Sequence, residues 1–273
     1  AAKAAADAAA AKVLADADAA ANAPKTFTLT TNVENFTGGS GADTFNSAIV
    51  GAGASTTGTG TGTTLNPGDV LTGGAGIDTL NITVSGAFNT TADTAISGLN
   101  LSGIERVMVA NFDTSANTSA QSISLAAITG VTDVGISSST ANGATAFVDL
   151  GNKVNASMAN GSADLTIAYA LSSITSGTAD SQNLTLSGVT AGTFSAGNGI
   201  ESFNVTSSTA NNVLKAISVN TPTNSTPQSL SVTGDKNLTI LDALTNTVTK
   251  VDASAFTGNL NIEIASGATV SVV

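Results

Sequence analysis

Gly38-Gly39-Ser40-Gly41-Ala42-Asp43-Thr44-Phe45-Asn46 and Gly73-Gly74-Ala75-Gly76-Ile77-Asp78-Thr79-Leu80-Asn81 are two copies of one nine-residue pattern. The pattern is the solenoid nonapeptide G-G-x-G-x-D-x-U-x, in which U is a large apolar residue. Each copy follows a partial copy in the same register. Asp69-Val70-Leu71-Thr72 precedes Gly73 and sets Asp69 one nonapeptide before Asp78; Glu34-Asn35-Phe36-Thr37 does the same for Asp43. Acidic and apolar residues thus keep a common spacing through both stretches.

The residue types explain the chemistry expected of them. Consecutive glycines reach backbone conformations closed to other residues, so a turn can aim its carbonyls at one point. Those carbonyls and an Asp carboxylate are the oxygen donors that Ca2+, a hard cation, prefers at about 2.3–2.6 Å. The apolar residue two positions later opens a short strand and points into a core. The expected metal ligands are Glu34, Gly39, Gly41 and Asp43 in the first unit, and Asp69, Gly74, Gly76 and Asp78 in the second. The competing reading is a pair of ordinary Gly-rich turns with an Asp hydrogen-bonded locally. Two full copies, each with an acidic half in register, favour calcium.

Composition agrees. Asp and Glu total 19 against 8 Lys and Arg, giving a net charge of −11 and a pI near 4.1. Arg106 is the only Arg, so phosphate neutralisation, and with it nucleic acid as a partner, is not expected. Anionic lipid would be repelled as well. With no Cys, disulfides and thiolate metal sites are excluded; with no His, the commonest general base and transition-metal ligand are gone. Trp is also missing and aromatics make up 4% of residues, leaving few stacking platforms for sugars or bases. An enzyme is therefore not expected, a polysaccharide lyase or epimerase included, and neither a H-E-x-x-H nor a G-x-S-x-G motif occurs.

Away from the nonapeptides, residues 1–24 read as an Ala-rich helical connector or cap. Lys3 and Asp7, and Lys12 and Asp16, stand at i,i+4, and Asn22 with Pro24 ends the helix. From Lys25 onward short period-two strands recur: Phe27 and Leu29, Leu184 and Leu186, Leu230 and Val232, Leu238 and Ile240, and Leu260, Ile262 and Ile264. No amphipathic helical pattern separates them, so the class is all-β, a sandwich, barrel or solenoid. The Gly/Thr-rich stretch 51–63 and the turn-rich stretch 220–227 read as loops. No apolar run reaches the length of a transmembrane helix. A start at Ala without a leader reads as a segment of a longer or processed polypeptide.

The stretch VENFTGGSGADTFN (33–46), the Gly/Thr insertion, LNPGDVLTGGAGIDTLNIT (65–83) and GIERVMV (103–109) resemble the RTX-type surface-layer proteins of Gram-negative bacteria, the Caulobacter type. The motif-bearing likeness covers about residues 26–110; the Thr/Ser/Val-rich remainder is similar in composition. The resemblance implies a right-handed parallel β-helix or β-roll solenoid with a short Ala-rich N-terminal α-helix. It also implies type I secretion and calcium-dependent assembly into a two-dimensional lattice. Asp43 and Asp78 match the family's ligand position, and Glu34 and Asp69 match it in the half-motifs. A long tandem array of nonapeptides and a recognisable secretion signal are the family features missing here.

On this basis residues 25–110 are the calcium-binding part and 111–273 degenerate rungs of the same domain. The expected function is structural: an extracellular, cell-surface solenoid that self-assembles with copies of itself into a lattice or filament, through its ends and the Ala-rich helix. Cell-surface polysaccharide is expected to meet a region outside these residues. The alternative is a calcium-dependent RTX adhesin or receptor-binding module. Glu105 and Glu201, each after Gly-Ile, read as solvated strand starts rather than further ligands. Asp113, Asp133, Asp149 and Asp252 fit turns, and Tyr169 fits core or corner packing. Sequons at Asn81, Asn89, Asn155, Asn183 and Asn237 are what a Thr/Ser-rich chain produces by chance.

Overall fold

The computed structural model of the chain describes residues 3, 6–7, 10–14, 19, 22–53, 59–88, 98–115, 119–126, 128–170, 174, 180–197, 199–219, 228–265 and 271–272. The expected loop at 220–227 and the sequon at Asn89 lie outside these residues.

Period-two alternation turns into parallel sheet. Eleven strands, from Thr26–Thr28 to Ser271–Val272, pair side by side in one sheet, taking in every second strand of the chain for most of its length. The intervening strands form sheets of three, five and three strands on the other faces. Every pairing between these strands is parallel. Parallel neighbours need a long connection, and here the remainder of each coil supplies it. The molecule is a β-solenoid in which each coil adds one strand to each face. At the N-terminus, residues 3, 6–7, 10–14 and 19 are helical and exposed, with Lys3 paired to Asp7 at 2.9 Å.

Register builds the core as columns. Phe45 stacks in sequence with Leu80, Val107, Val134, Ala156, Leu184, Val205 and Val232, all inward on successive rungs and all buried. A parallel column holds Ile82, Val109, Ile136, Met158 and Leu186. Each of these side chains larger than Ala156 contributes about 1.5–3 kcal/mol by leaving water, and a one-residue slip would turn both columns outward. Phe27 stacks between Phe36 and Phe45, with centroids 5.1 and 4.9 Å away, and closes the core beside the first rung.

The outward faces carry amide ladders. Asn81 Nδ2 donates to Asn46 Oδ1 at 3.0 Å; further along, Asn155 donates to Asp133, Asn183 to Asn155 and Asn204 to Asn183, at 3.2, 2.9 and 2.9 Å. Three of the sequon asparagines are thus engaged in rung-to-rung bonds.

In the Gly/Thr insertion, residues 54–58 lie outside those described. The flanks fold back along the strand Thr44–Val50 rather than projecting as a loop. Gly60 N–H donates to the Val50 carbonyl at 2.6 Å, and the Thr63 and Thr64 hydroxyls accept the N–H groups of Val50 and Ala48 at 3.0 and 2.8 Å. Leu65 ends the return buried in the core.

Candidate metal centre

The strands Asn35–Gly39 and Val70–Gly74 pair in register, with Gly39 opposite Gly74. The chain then turns a corner into Thr44–Val50 and Thr79–Gly86, again in register from Thr44 opposite Thr79. Asp43 and Asp78 therefore occupy the same corner of successive rungs. Because Thr79 pairs with Arg106, Glu105 occupies it on the third.

At this corner each carboxylate reaches back one rung to a backbone N–H. Lys25 N–H donates to Asp43 Oδ1 at 2.6 Å, Asp43 N–H to Asp78 Oδ1 at 2.6 Å, and Asp78 N–H to Glu105 Oε2 at 2.8 Å. Buried donors at a turn need such partners. Glu105, read from sequence as a solvated strand start, is half-buried here as the third member of the series.

The two full motifs differ in one respect. Asp43 Oδ2 accepts the Gly39 N–H at 2.6 Å. The equivalent oxygen of Asp78, a fully buried residue, has no hydrogen-bond partner. Gly74, the counterpart of Gly39, takes φ of +111°, and Gly76 takes +115°, angles that side-chain-bearing residues rarely adopt. Burial raises the Asp78 pKa above the ordinary carboxylate value; the Asp43 N–H works against this, and the Glu105 and Asp43 charges add to it.

The first glycine of each copy is required by space. A Cβ at Gly38 would overlap both the Gly73 carbonyl oxygen and Asp43 Oδ2. A Cβ at Gly73 would overlap the Gly103 carbonyl oxygen and lie 2.5 Å from Asp78 Oδ2. In each copy, then, an Asp oxygen and the next rung's carbonyl oxygen converge on a cradle that only glycine leaves open. Gly76 packs similarly against the Gly41 carbonyl, 2.7 Å from where its Cβ would be.

Glu34 and Asp69 form a second, separate group at the other end of the strands Asn35–Gly39 and Val70–Gly74. Asp69 accepts Glu34 N–H at 2.8 Å and Asn66 N–H at 2.7 Å, so both its oxygens are engaged. Glu34 Oε1 accepts the N–H and hydroxyl of Thr30, while its Oε2 is buried without a partner. The eight residues picked from the sequence thus divide between two corners. Among the described residues, no three Asp, Glu, His or Cys side chains gather as a metal-binding group; any cation at the first corner would rely on backbone carbonyls as well as carboxylates.

Cationic side chains appear where the sequence offered no signal for them. Lys25 Nζ donates to the Gly38 carbonyl at 2.8 Å, beside Asp43 at the start of the series. Much further along, Glu201 Oε2 accepts Asp180 N–H at 2.9 Å, and Lys153 pairs with Asp180 at 2.9 Å. Asp113 and Asp252 accept N–H and hydroxyl bonds from Ser115 and Ser254 in local turns. Asp149 accepts the Ser124 hydroxyl. Tyr169 is buried, its hydroxyl 2.6 Å from Gln182 Oε1, and burial pushes its pKa up to about 12.

Comparison of the chain with protein-family models, with curated proteins and with solved structures finds no match.

Proposed function

We propose that this chain is a structural, non-catalytic cell-surface protein: a calcium-stabilised β-solenoid that assembles with copies of itself into a surface lattice or filament. The observation that carries the reading is the buried Asp78 Oδ2, which has no hydrogen-bond partner and lies under the negative charges of Glu105 and Asp43. A buried carboxylate oxygen without a donor is costly, and a cation removes that cost. The residues that would hold Ca2+ are Asp43 and Asp78 with carbonyls of the turns 38–43 and 73–78. Once bound, the ion supplies positive charge between carboxylates that otherwise repel, which couples binding to folding.

The chain's own residues do the rest. Back-reaching carboxylates hold the corners in register, glycines keep the cradles open, and the apolar columns fix the coil. Nothing in this arrangement depends on a proton-transfer group. Among the described residues, no helix is long and apolar enough to cross a membrane. An extracellular location suits an acidic chain without Cys that would use millimolar calcium.

The test is a calcium titration followed by circular dichroism, light scattering and electron microscopy, with EGTA reversal. Ordered assemblies that need calcium, and that fail in the Asp43→Ala/Asp78→Ala double variant, support the proposal. A chain whose folding and assembly ignore calcium overturns it.

A further inference from the structure

We infer that two copies of this chain pack face to face through the outward side of the eleven-strand sheet, about a two-fold axis that sets Arg106 of each over Asp133 of the other. The inference rests on the self-assembly proposed above and gives it a broad face of the solenoid rather than its ends.

The argument starts from the charges on that face. Across the nine strands of the sheet from Thr26–Thr28 to Gln228–Gly234, Arg106 and Asp133 are the only charged residues that point outward. Apart from Val50, Met108 and Phe112, the other outward residues are short: Thr, Ser, Asn, Ala or Gly. A surface meant to stay in water carries many long charged side chains of both signs. This one is flat and almost bare of them.

The two charges are neighbours that do not pair. Arg106 and Asp133 stand opposite each other on adjacent rungs, yet no ion pair joins them. Asp133 turns instead to the Asn155 amide and the Thr132 hydroxyl, at 3.2 and 2.7 Å. Arg106, the only Arg of the chain, is exposed, and among the described residues its guanidinium has no ion-pair partner.

A second copy offers the missing carboxylate in the matching place. The axis runs along the strands, between the rungs of Arg106 and Asp133, in the plane where the two faces meet. It reverses the order of the rungs and keeps each position along a strand. Arg106 therefore lies over Asp133 of the second copy, and the reverse pair forms as well, the self-complementarity that a two-fold contact requires. The same operation puts Thr79 and Asn81 over Asn155 and Ser157 of the second copy, so no like charges meet.

Apolar side chains gather at the same axis. The Met108 methyl lies 3.0 Å from where a Cβ of Gly135 would be, so Met108 covers the glycine of the next rung. The two-fold brings both methionines together there. Phe112, outward on the same strand, is 38% exposed. Arg, Met and Phe are the residue types enriched at interfaces. The faces overlap over eight strands, from Thr26–Thr28 to Ser202–Ser207. At about 4.8 Å per rung and roughly 18 Å of strand, each copy covers about 700 Å², near the roughly 800 Å² per partner of a standard stable interface.

The experiment is sedimentation velocity with light scattering on the full chain in calcium, for the wild type, Arg106→Asp, Asp133→Arg and an equal mixture of these two variants. Each variant alone sets like charges against each other across the axis. Its self-association is expected to weaken at least about tenfold while its circular dichroism stays that of the wild type. The mixture is expected to recover association, because each variant then meets the charge it lacks. Both variants remain acidic, so net charge alone does not draw them together. Thr185→Lys, two rungs beyond Asp133, tests the face without touching either charge; its long side chain holds the faces apart and is expected to weaken association likewise. Variants that associate as the wild type does, or a mixture that stays apart where the wild type associates, overturn this contact and leave the self-assembly reading standing. A wild type that stays monomeric in calcium overturns both.

Discussion

The N–H of Asp43 donates to Oδ1 of Asp78 one rung later, at 2.6 Å, and Asp78 in turn donates its own N–H to Glu105. Each carboxylate in this row thus serves two ends, as acceptor for the rung behind it and as a negative charge facing the rung ahead. The first use stabilises the coil without any ion. The second opposes it.

Asp78→Asn separates these uses. The asparagine oxygen can still accept the Asp43 N–H, and the buried negative charge is gone. The folded-state pKa of Asp78 lies above its unfolded value. Its contribution is therefore full below the unfolded pKa and is lost as pH rises through the folded one, so ionisation at neutral pH destabilises the calcium-free fold. In EGTA, Asp78→Asn is expected to melt above the wild type at neutral pH and no higher than it in acid. In calcium the order reverses. A variant that melts lower in EGTA at neutral pH contradicts the account.

Gly73→Ala tests the cradle. Its Cβ would overlap the Gly103 carbonyl, a backbone atom that cannot swing away, so the expected loss is at least about 2 kcal/mol. Gly151→Ala is the control, since nothing lies within 4 Å of a Cβ there, and should stay within about 0.5 kcal/mol. Denaturant melts of the two variants in EGTA provide the comparison; equal stabilities would refute the packing argument.

Asn212 is a polar residue that the core depends on. Its Nδ2 donates to Ser207 Oγ at 2.8 Å and to the Ala210 and Leu186 carbonyls at 2.8 and 3.3 Å, and its Oδ1 accepts the Val189 N–H at 2.9 Å. Asn212→Ala leaves buried backbone groups without partners and is expected to cost about 2–4 kcal/mol. Chemical denaturation reads this directly, and a loss under about 1 kcal/mol would mean that water replaces the amide.

Tyr169 is the chain's single Tyr, so tyrosinate absorbance reports it alone. Its folded pKa is pushed up by burial from the ordinary tyrosine value to about 12. The contribution is full below the unfolded value and falls as pH climbs from there through the folded one, by up to about 3 kcal/mol in all. Titration is expected to coincide with loss of β-structure. Ionisation near the ordinary tyrosine value in a fully folded chain would show the hydroxyl to be open to water.

Much of the architecture was legible because period-two pairs such as Leu184 and Leu186, or Leu230 and Val232, are buried columns in the structure. The nonapeptide spacing likewise placed Asp43 and Asp78 at one corner. Glu105 was not legible as their partner, since Gly-Ile-Glu lacks the paired glycines and only the pairing of Thr79 with Arg106 aligns it. Lys25 escaped notice for a similar reason: it lies 13 residues from Gly38 along the chain, and no local pattern links them. No local pattern marks Asn111, Gln182 and Asn212 as the buried residues they are, because which face a polar residue takes at a corner depends on rung length.

Rung length has a mechanical consequence. Hydrogen bonds between parallel rungs point along the solenoid axis, so tension along that axis loads the bonds between rungs and peels one coil at a time. The rung from Asp43 to Asp78 spans 35 residues and that from Asn183 to Asn204 spans 21. At about 3.4 Å per extended residue, they release roughly 12 and 7 nm of slack. Pulled along its axis, the solenoid would yield in unequal steps, lengthening most at the 35-residue rung between Asp43 and Asp78.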